Sequence, residues 1–300
     1  MTNENCYWHP DRYAGVTCQR CERRVCADCM HTASVGFHCP ACIAPQSIDS
    51  RRQRRSFVRS SNRILTVSEQ SLITRTLIAI NLLAFLATLF RGGSLSSGGG
   101  DVTIDFGLVG YGRVLSTFSI DYVGVAEGEW WRMVTGGFLH AGFIHLAFNM
   151  FLLWMLGSQL ERILGGTSYL ILYFASLLSG ALGVMLLDPL ALTVGASGAV
   201  FGLMGATVIY QLRRGVSPWS NGIGTLLIIN LIFTFARPNI SVGGHLGGLL
   251  GGLLIGWLID EINKKRVAGY LSFLVPLIIT VALGFSCIWA SEYWYDPILG

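Results

Sequence analysis

The sequence predicts an all-α polytopic membrane protein preceded by a small metal-binding head, and three counts predict it. Asp, Glu, Lys and Arg make up only 13% of the 300 residues, about half the ~25% expected of a soluble globular chain. The apolar fraction is 52%, and from Met133 onward six stretches of at least 22 residues carry no acidic or basic side chain. Cysteine supplies the third count: seven of the eight lie between Cys6 and Cys42, and only Cys287 falls in the apolar body. Ten of the 21 basic residues likewise precede Ile64. The net charge of +4, concentrated in the head, makes no case for a nucleic-acid partner. Four segments follow: a head at 1–48, an Arg-rich linker at 49–70, a membrane domain at 71–291 and a short tail at 292–300.

A transmembrane helix needs ~20 mostly apolar residues to cross ~30 Å of hydrocarbon at about 1.5 Å per residue. The charge-free stretches run Met133 to Leu160, Ile163 to Leu187, Pro189 to Leu212, Gly215 to Ala236, Pro238 to Ile259 and Val267 to Ser291. Leu72 to Phe90 is a further candidate, interrupted only by Arg75, whose side chain can snorkel to the interface. Seven spans are therefore expected. Flanking arginine and lysine orient them. The cluster Arg51 to Arg63, the pair Arg213 and Arg214, and Lys264 to Arg266 share one side, so the N-terminus is expected in the cytoplasm and the C-terminus outside, in the plasma membrane. The arginine cluster serves as a topology signal and linker, and a contact with anionic lipid would add to that. The Gly/Ser-rich run Gly92 to Gly100 reads as flexible linker, and Trp130-Trp131-Arg132 suits the membrane interface.

Cys6-x2-His9, Cys18-x2-Cys21, Cys26-x2-Cys29 and Cys39-x2-Cys42 are four ligand pairs at the spacing of tetrahedral zinc. Eight ligands make two sites, and a reducing cytoplasm disfavours disulfides. The pattern resembles the B-box family of cross-braced zinc fingers. That resemblance implies that Cys6, His9, Cys26 and Cys29 hold one ion and Cys18, Cys21, Cys39 and Cys42 the other, with His31 or His38 as substitutes in the second site. It implies structural zinc and a role in binding a protein partner or in regulation.

Polar residues within spans are expensive and mark function. With the N-terminus inside, the second, fourth and sixth spans all descend from the outer face. Near their starts lie His140, His145 and Asn149, then Ser197, then His245. Glycines flank Ser197 and expose its hydroxyl, while Gly244, Gly248, Gly252 and Gly256 give the sixth span a small-residue ridge for close approach. Gly198, Gly202 and Gly205 give the fourth span a matching surface. Phe201, one turn after Ser197, falls where its ring can pack against an imidazole. A Ser197–His245 pair would work by nucleophilic attack with the histidine as base. Asn149 and His145, four residues apart, would offer N–H donors to the oxyanion, with the Ser197 N–H as a third. His140, about 140° around the helix from His145, is expected to face elsewhere. No carboxylate stands at that level, so the reading is a dyad.

Residues Ser71 to Ser291 resemble the rhomboid family of intramembrane serine proteases, with six core helices and one more at the C-terminus. The resemblance is carried by Trp131-Arg132, by His140 through His145 to Asn149, by Gly157-x3-Glu161-x3-Gly165, by Gly195-x-Ser197-Gly198 and by His245-x2-Gly248-x3-Gly252. It implies Ser197 as nucleophile, His245 as base, His145 and Asn149 as oxyanion donors, structural roles for Glu161 and Arg162, and substrates that are transmembrane segments of other proteins. Phe201 stands where some members have Tyr. A catalytically silent scaffold for transmembrane clients is the alternative, against which the presence of both Ser197 and His245 counts. A transporter is disfavoured by the lack of internal repeats and of intramembrane carboxylates.

Overall fold

The computed structural model describes residues 4–33, 36–43, 71–115, 119–265 and 270–293. The segment expected as an Arg-rich linker at 49–70 and most of the tail at 292–300 lie outside the described residues. The chain separates into two compact units, Met1–Glu69 and Gln70–Gly300.

In the first unit, β1 (Val16–Thr17) pairs antiparallel with β2 (Arg24–Val25), and β3 (His31–Thr32) with β4 (Phe37–His38). Its buried centre is Cys6, Ala14, Cys18, Val25, Cys26, Cys29 and Cys39. So small an apolar core cannot stabilise a unit of this size without a staple.

The second unit is helical. It runs α1 (Leu72–Phe90), α2 (Asp101–Phe106), the hairpin β5 (Gly112–Leu115) and β6 (Ile120–Val123), α3 (Arg132–Thr135), and α4 (Phe143–Leu152). A π-turn at Leu153–Gly157 then joins α4 to α5 (Ser158–Leu164). There follow α6 (Gly166–Leu187), α7 (Ser197–Leu212), α8 (Ile223–Ala236), α9 (Val242–Lys264) and α10 (Leu271–Tyr293). Five helices among the described residues are long and apolar enough to cross a membrane: α1, the continuous Phe143–Leu164, α6, α9 and α10. The apolar helices α7 and α8 have 16 and 14 residues. At about 1.5 Å per residue they fall short of a ~30 Å crossing.

The charge-free stretches therefore overstate three helices. The stretch from Met133 becomes a long continuous helix only at Phe143, and the stretches from Pro189 and Gly215 enter their shorter helices only at Ser197 and Ile223. Apolar loop is tolerated at membrane depth where protein encloses it, and a count of charges cannot tell such a loop from a helix. The loop before α7 is pinned by Leu108, which exchanges backbone bonds of 3.0 and 2.7 Å with Thr193. The Gly/Ser-rich run also differs from expectation. Ser94 and Gly98 exchange backbone bonds of 2.8 Å, and the Phe143 N–H donates to Leu95 O at 2.7 Å, so the run is a folded turn packed on the entry to α4. A β-carbon on Gly98 would overlap the His140 carbonyl oxygen, which is why glycine stands there.

Helix α9 is wedged between α6 and α7 by two glycine stripes. On one, a β-carbon at Gly248 or Gly252 would overlap the carbonyl oxygens of Gly198 or Gly202 on α7, and one at Gly256 would stand 2.9 Å from Ala206 Cα. On the other, Gly243 and Gly247 press against the Gly183 and Ser179 carbonyls of α6. Sequence reasoning found the first stripe and missed the second. At the far end of the pair, Arg213, which follows α7, bridges to Asp260 and Glu261 of α9.

Candidate active site and candidate metal centres

Ser197, His245, His145 and Asn149 line one cavity of about 930 Å³, together with Phe201, Thr234 and the loop from Ala191 to Gly195. Four residues from three separate stretches of sequence thus meet around one space. Ser197 is the first residue of α7, preceded by Ala196 as N-cap. That position differs from the expected one some eight residues into a span, and it places the first-turn N–H groups, which have no partner within the helix, beside the serine. Gly195, at φ +131°, makes the sharp entry that turns extended loop into helix. Such a backbone conformation is essentially confined to glycine.

His245 is held from two sides. Its ring stacks on Phe201, with centroids 4.2 Å apart and 19° between planes. Its Nδ1 lies 2.7 Å from Thr234 Oγ1 on α8. Thr234 was not singled out by sequence reasoning; the available signal was a threonine four residues after Asn230 in an otherwise apolar segment. Ser241 starts α9 one turn before His245, its Oγ accepting from the Gly244 N–H at 3.0 Å.

His145 and Asn149 share a face of α4, as the four-residue spacing predicts. The Ala141 N–H points to His145 Nδ1 at 3.4 Å. With Nδ1 as acceptor, the neutral ring carries its proton on Nε2. A β-carbon placed on Gly195 would stand 2.9 Å from that Nε2 and 3.6 Å from Ser197 Oγ. The missing side chain at Gly195 therefore leaves the space between a ring N–H and a serine hydroxyl open. Asn149 is buried, and one of its two amide protons is spent on His145 O at 2.9 Å, which leaves the other for the cavity. His140 stays out of the cavity, as expected, but not for the helical reason given: it lies in the loop before α4, and its ring is 5.1 Å from that of His145. It is buried and does not line the cavity.

The family model for the rhomboid domain matches residues 127–261, which include all four cavity residues. Residues 127–261 are a rhomboid domain. Rhomboid protease GluP of Bacillus subtilis (strain 168) is 34% identical over 177 residues, 58% of this chain and 32% of that protein. Rhomboid-like protease 1 of Toxoplasma gondii is 34% identical over 190 residues, 60% of this chain and 65% of its own. RHOMBOID-like protein 5 of Arabidopsis thaliana is 39% identical over 121 residues, 40% of this chain and 38% of its own. The chain thus spans less than two thirds of the length of each of these relatives.

Two further motifs of this rhomboid domain, around Arg132 and Glu161, tie its elements together. The Arg132 guanidinium is buried and donates to Glu129 Oε2 at 2.6 Å, Ile104 O at 2.7 Å and Gly107 O at 2.9 Å, tying the segment between α1 and α4 into one body. Glu161 accepts from the Ile73 and Thr74 N–H groups at 2.9 Å each and from Thr74 Oγ1 at 2.7 Å. It thereby satisfies first-turn donors of α1 that the helix itself cannot.

The head holds two sets of four donors. Cys6, His9, Cys26 and Cys29 form one and Cys18, Cys21, Cys39 and Cys42 the other, each with its ligand atoms within 4.8 Å of one another. A tetrahedral zinc with ~2.3 Å bonds to sulfur separates its donors by about 3.8 Å. Here His9 Nδ1 lies 3.9, 3.4 and 3.4 Å from the sulfurs of Cys6, Cys26 and Cys29, and Cys21 and Cys39 sulfurs are 3.6 Å apart. All eight cysteines are free thiols. Burial opposes ionisation of Cys6, yet hydrogen bonds from backbone N–H groups outweigh it and bring the thiol down to about 6. The contact with Cys21, aided by burial, pushes Cys42 up to about 12. Such crowded sulfurs fit a cation that would hold all of them deprotonated. His31 and His38 face each other across β3 and β4 and belong to neither set.

Proposed function

We propose that this protein is an intramembrane serine endopeptidase that cleaves transmembrane segments of other membrane proteins. The observation that carries the reading is the convergence on one cavity of a serine at a helix start, a stacked histidine, and two further N–H donors. Ser197 Oγ attacks the peptide carbonyl while His245 Nε2 takes its proton. The C–N bond then breaks as that proton passes to the leaving amine, and water hydrolyses the acyl-enzyme with His245 as base again. His145 Nε2–H, the second Asn149 amide proton and the Ser197 N–H stabilise the oxyanion in a space walled by apolar side chains. A substrate helix must unwind first, because its carbonyls are otherwise engaged in backbone hydrogen bonds.

The N-terminus is in the cytoplasm, the C-terminus outside, and the membrane domain is 71–291. In the head, the eight ligands hold two structural zinc ions and the folded finger binds a protein partner or regulates cleavage. Reaction with a fluorophosphonate probe tests the catalytic assignment. Purified protein should label, and Ser197→Ala and His245→Ala should each abolish labelling. Labelling that survives Ser197→Ala refutes the nucleophile; an unlabelled wild type favours a silent scaffold.

A further inference from the structure

We infer that Thr234 is a positioning residue for His245, fixing the imidazole in the tautomer whose Nε2 can take a proton; this rests on the reading of His245 as the base. Helix α8 is apolar and turns most of its side chains outward. Of its 14 residues only Ile223, Gly224, Asn230 and Thr234 are buried. Asn230 and Thr234, one turn apart, are therefore the two polar side chains that this helix buries against the protein. Thr234 is 1% exposed, and its hydroxyl has two neighbours, the Asn230 carbonyl oxygen at 2.8 Å and His245 Nδ1 at 2.7 Å.

One proton has to serve both contacts. A threonine hydroxyl donates once and accepts through lone pairs, while a backbone carbonyl can only accept. If the hydroxyl proton went to His245, two oxygen acceptors would face each other at 2.8 Å with no hydrogen between them. The proton therefore goes to Asn230 O, and the hydroxyl turns a lone pair toward Nδ1. Nδ1 must then be the N–H of the ring, and a neutral imidazole with its hydrogen there carries its free lone pair on Nε2. The reverse tautomer would present Nε2–H to the serine and could not act as a base.

The contact also strengthens during the reaction. When Nε2 takes the Ser197 proton, Nδ1–H becomes part of an imidazolium, and its bond to Thr234 becomes charge-assisted. Stabilisation that grows toward the transition state raises the rate and leaves binding unaltered. Phe201 fixes the plane of the ring, and Thr234 fixes its rotation within that plane and its tautomer. The arrangement gives the dyad a neutral third member, drawn from a helix that sequence reasoning had left out of the site.

The test compares wild type, Ser197→Ala, Thr234→Val and Thr234→Ser in detergent micelles with a fluorophosphonate probe. Valine keeps the shape of threonine and deletes the hydroxyl; serine restores it. The maximal inactivation rate of Thr234→Val should fall about 10- to 100-fold, with probe affinity within about twofold, and Thr234→Ser should stay within about threefold of wild type. Imidazole 15N shifts of wild-type protein, with His245 assigned through His245→Gln, should show a protonated Nδ1 and a bare Nε2, and Thr234→Val should show both tautomers. Wild-type His245 with its proton on Nε2 overturns the inference even if every variant misfolds, and so does a Thr234→Val rate equal to wild type. Labelling that persists in Ser197→Ala instead removes the catalytic reading itself.

Discussion

Replacing Gly195 with alanine should silence the site while leaving the helices assembled. Two penalties follow from the geometry. Alanine at φ +131° occupies a region that costs about 1–3 kcal/mol for a residue with a side chain. The added methyl would also stand 2.7 Å from His145 Cε1 and 2.9 Å from Nε2, well inside the ~3.5–4.0 Å of favourable carbon contact. The ring must move by about 1 Å, which disturbs its contact with the Ala141 N–H that sets its tautomer. An oxyanion donor acts only within about 2.7–3.1 Å of the developing charge, and losing one costs about 10²- to 10³-fold in rate. Inactivation kinetics with a fluorophosphonate, run beside thermal unfolding in the same detergent, separate the two penalties. The expected result is a labelling rate down at least 100-fold in protein that still unfolds cooperatively. A rate within threefold of wild type would refute the placement of His145 Nε2 and Ser197 around the space that Gly195 leaves open.

Other consequences are as direct. Glu161→Ala strips acceptors from two N–H groups and a hydroxyl at the start of α1; it should lower stability by about 3 kcal/mol, seen as a reduced midpoint of thermal unfolding, with Glu161→Gln recovering part of it. Gly252→Val drives a side chain into the Gly202 carbonyl and should separate α9 from α7, abolishing probe labelling, whereas Gly284→Ala, whose β-carbon would meet only Leu178 Cδ1 at 3.9 Å, should label like wild type. Elemental analysis of the full chain should give two zinc ions, and Cys39→Ser should lose one while the set around His9 keeps the other. Zinc requires deprotonated ligands, so lowering the pH should release it and raising the pH should restore it, followed with a chromogenic chelator.

How far the sequence reveals this molecule depends on what kind of constraint each residue obeys. The metal clusters were legible because ligand spacing is local: two donors three residues apart on a turn can serve one ion, and the pairing into Cys6, His9, Cys26, Cys29 and Cys18, Cys21, Cys39, Cys42 follows the cross-brace. The four cavity residues were legible because polar side chains are rare in an apolar background, and a common depth brings them together. Helix starts were not, since Met133 to Gly142 and Pro189 to Ala196 are as free of charge as the helices they precede; only the backbone at Gly142 and Gly195, both at positive φ, breaks them. That error had a consequence at His140, whose angle around a helix was meaningless because no helix had yet begun, and whose ring lies against His145. Thr234 escaped for a different reason. A threonine in a membrane helix ordinarily bonds a carbonyl one turn back, and Thr234 does so with Asn230. Its second contact, with His245, depends on how α8 and α9 pack, which no spacing within either helix encodes. Residues that carry chemistry announce themselves by type, whereas a residue that positions them through another helix looks like ordinary packing until the two are brought together.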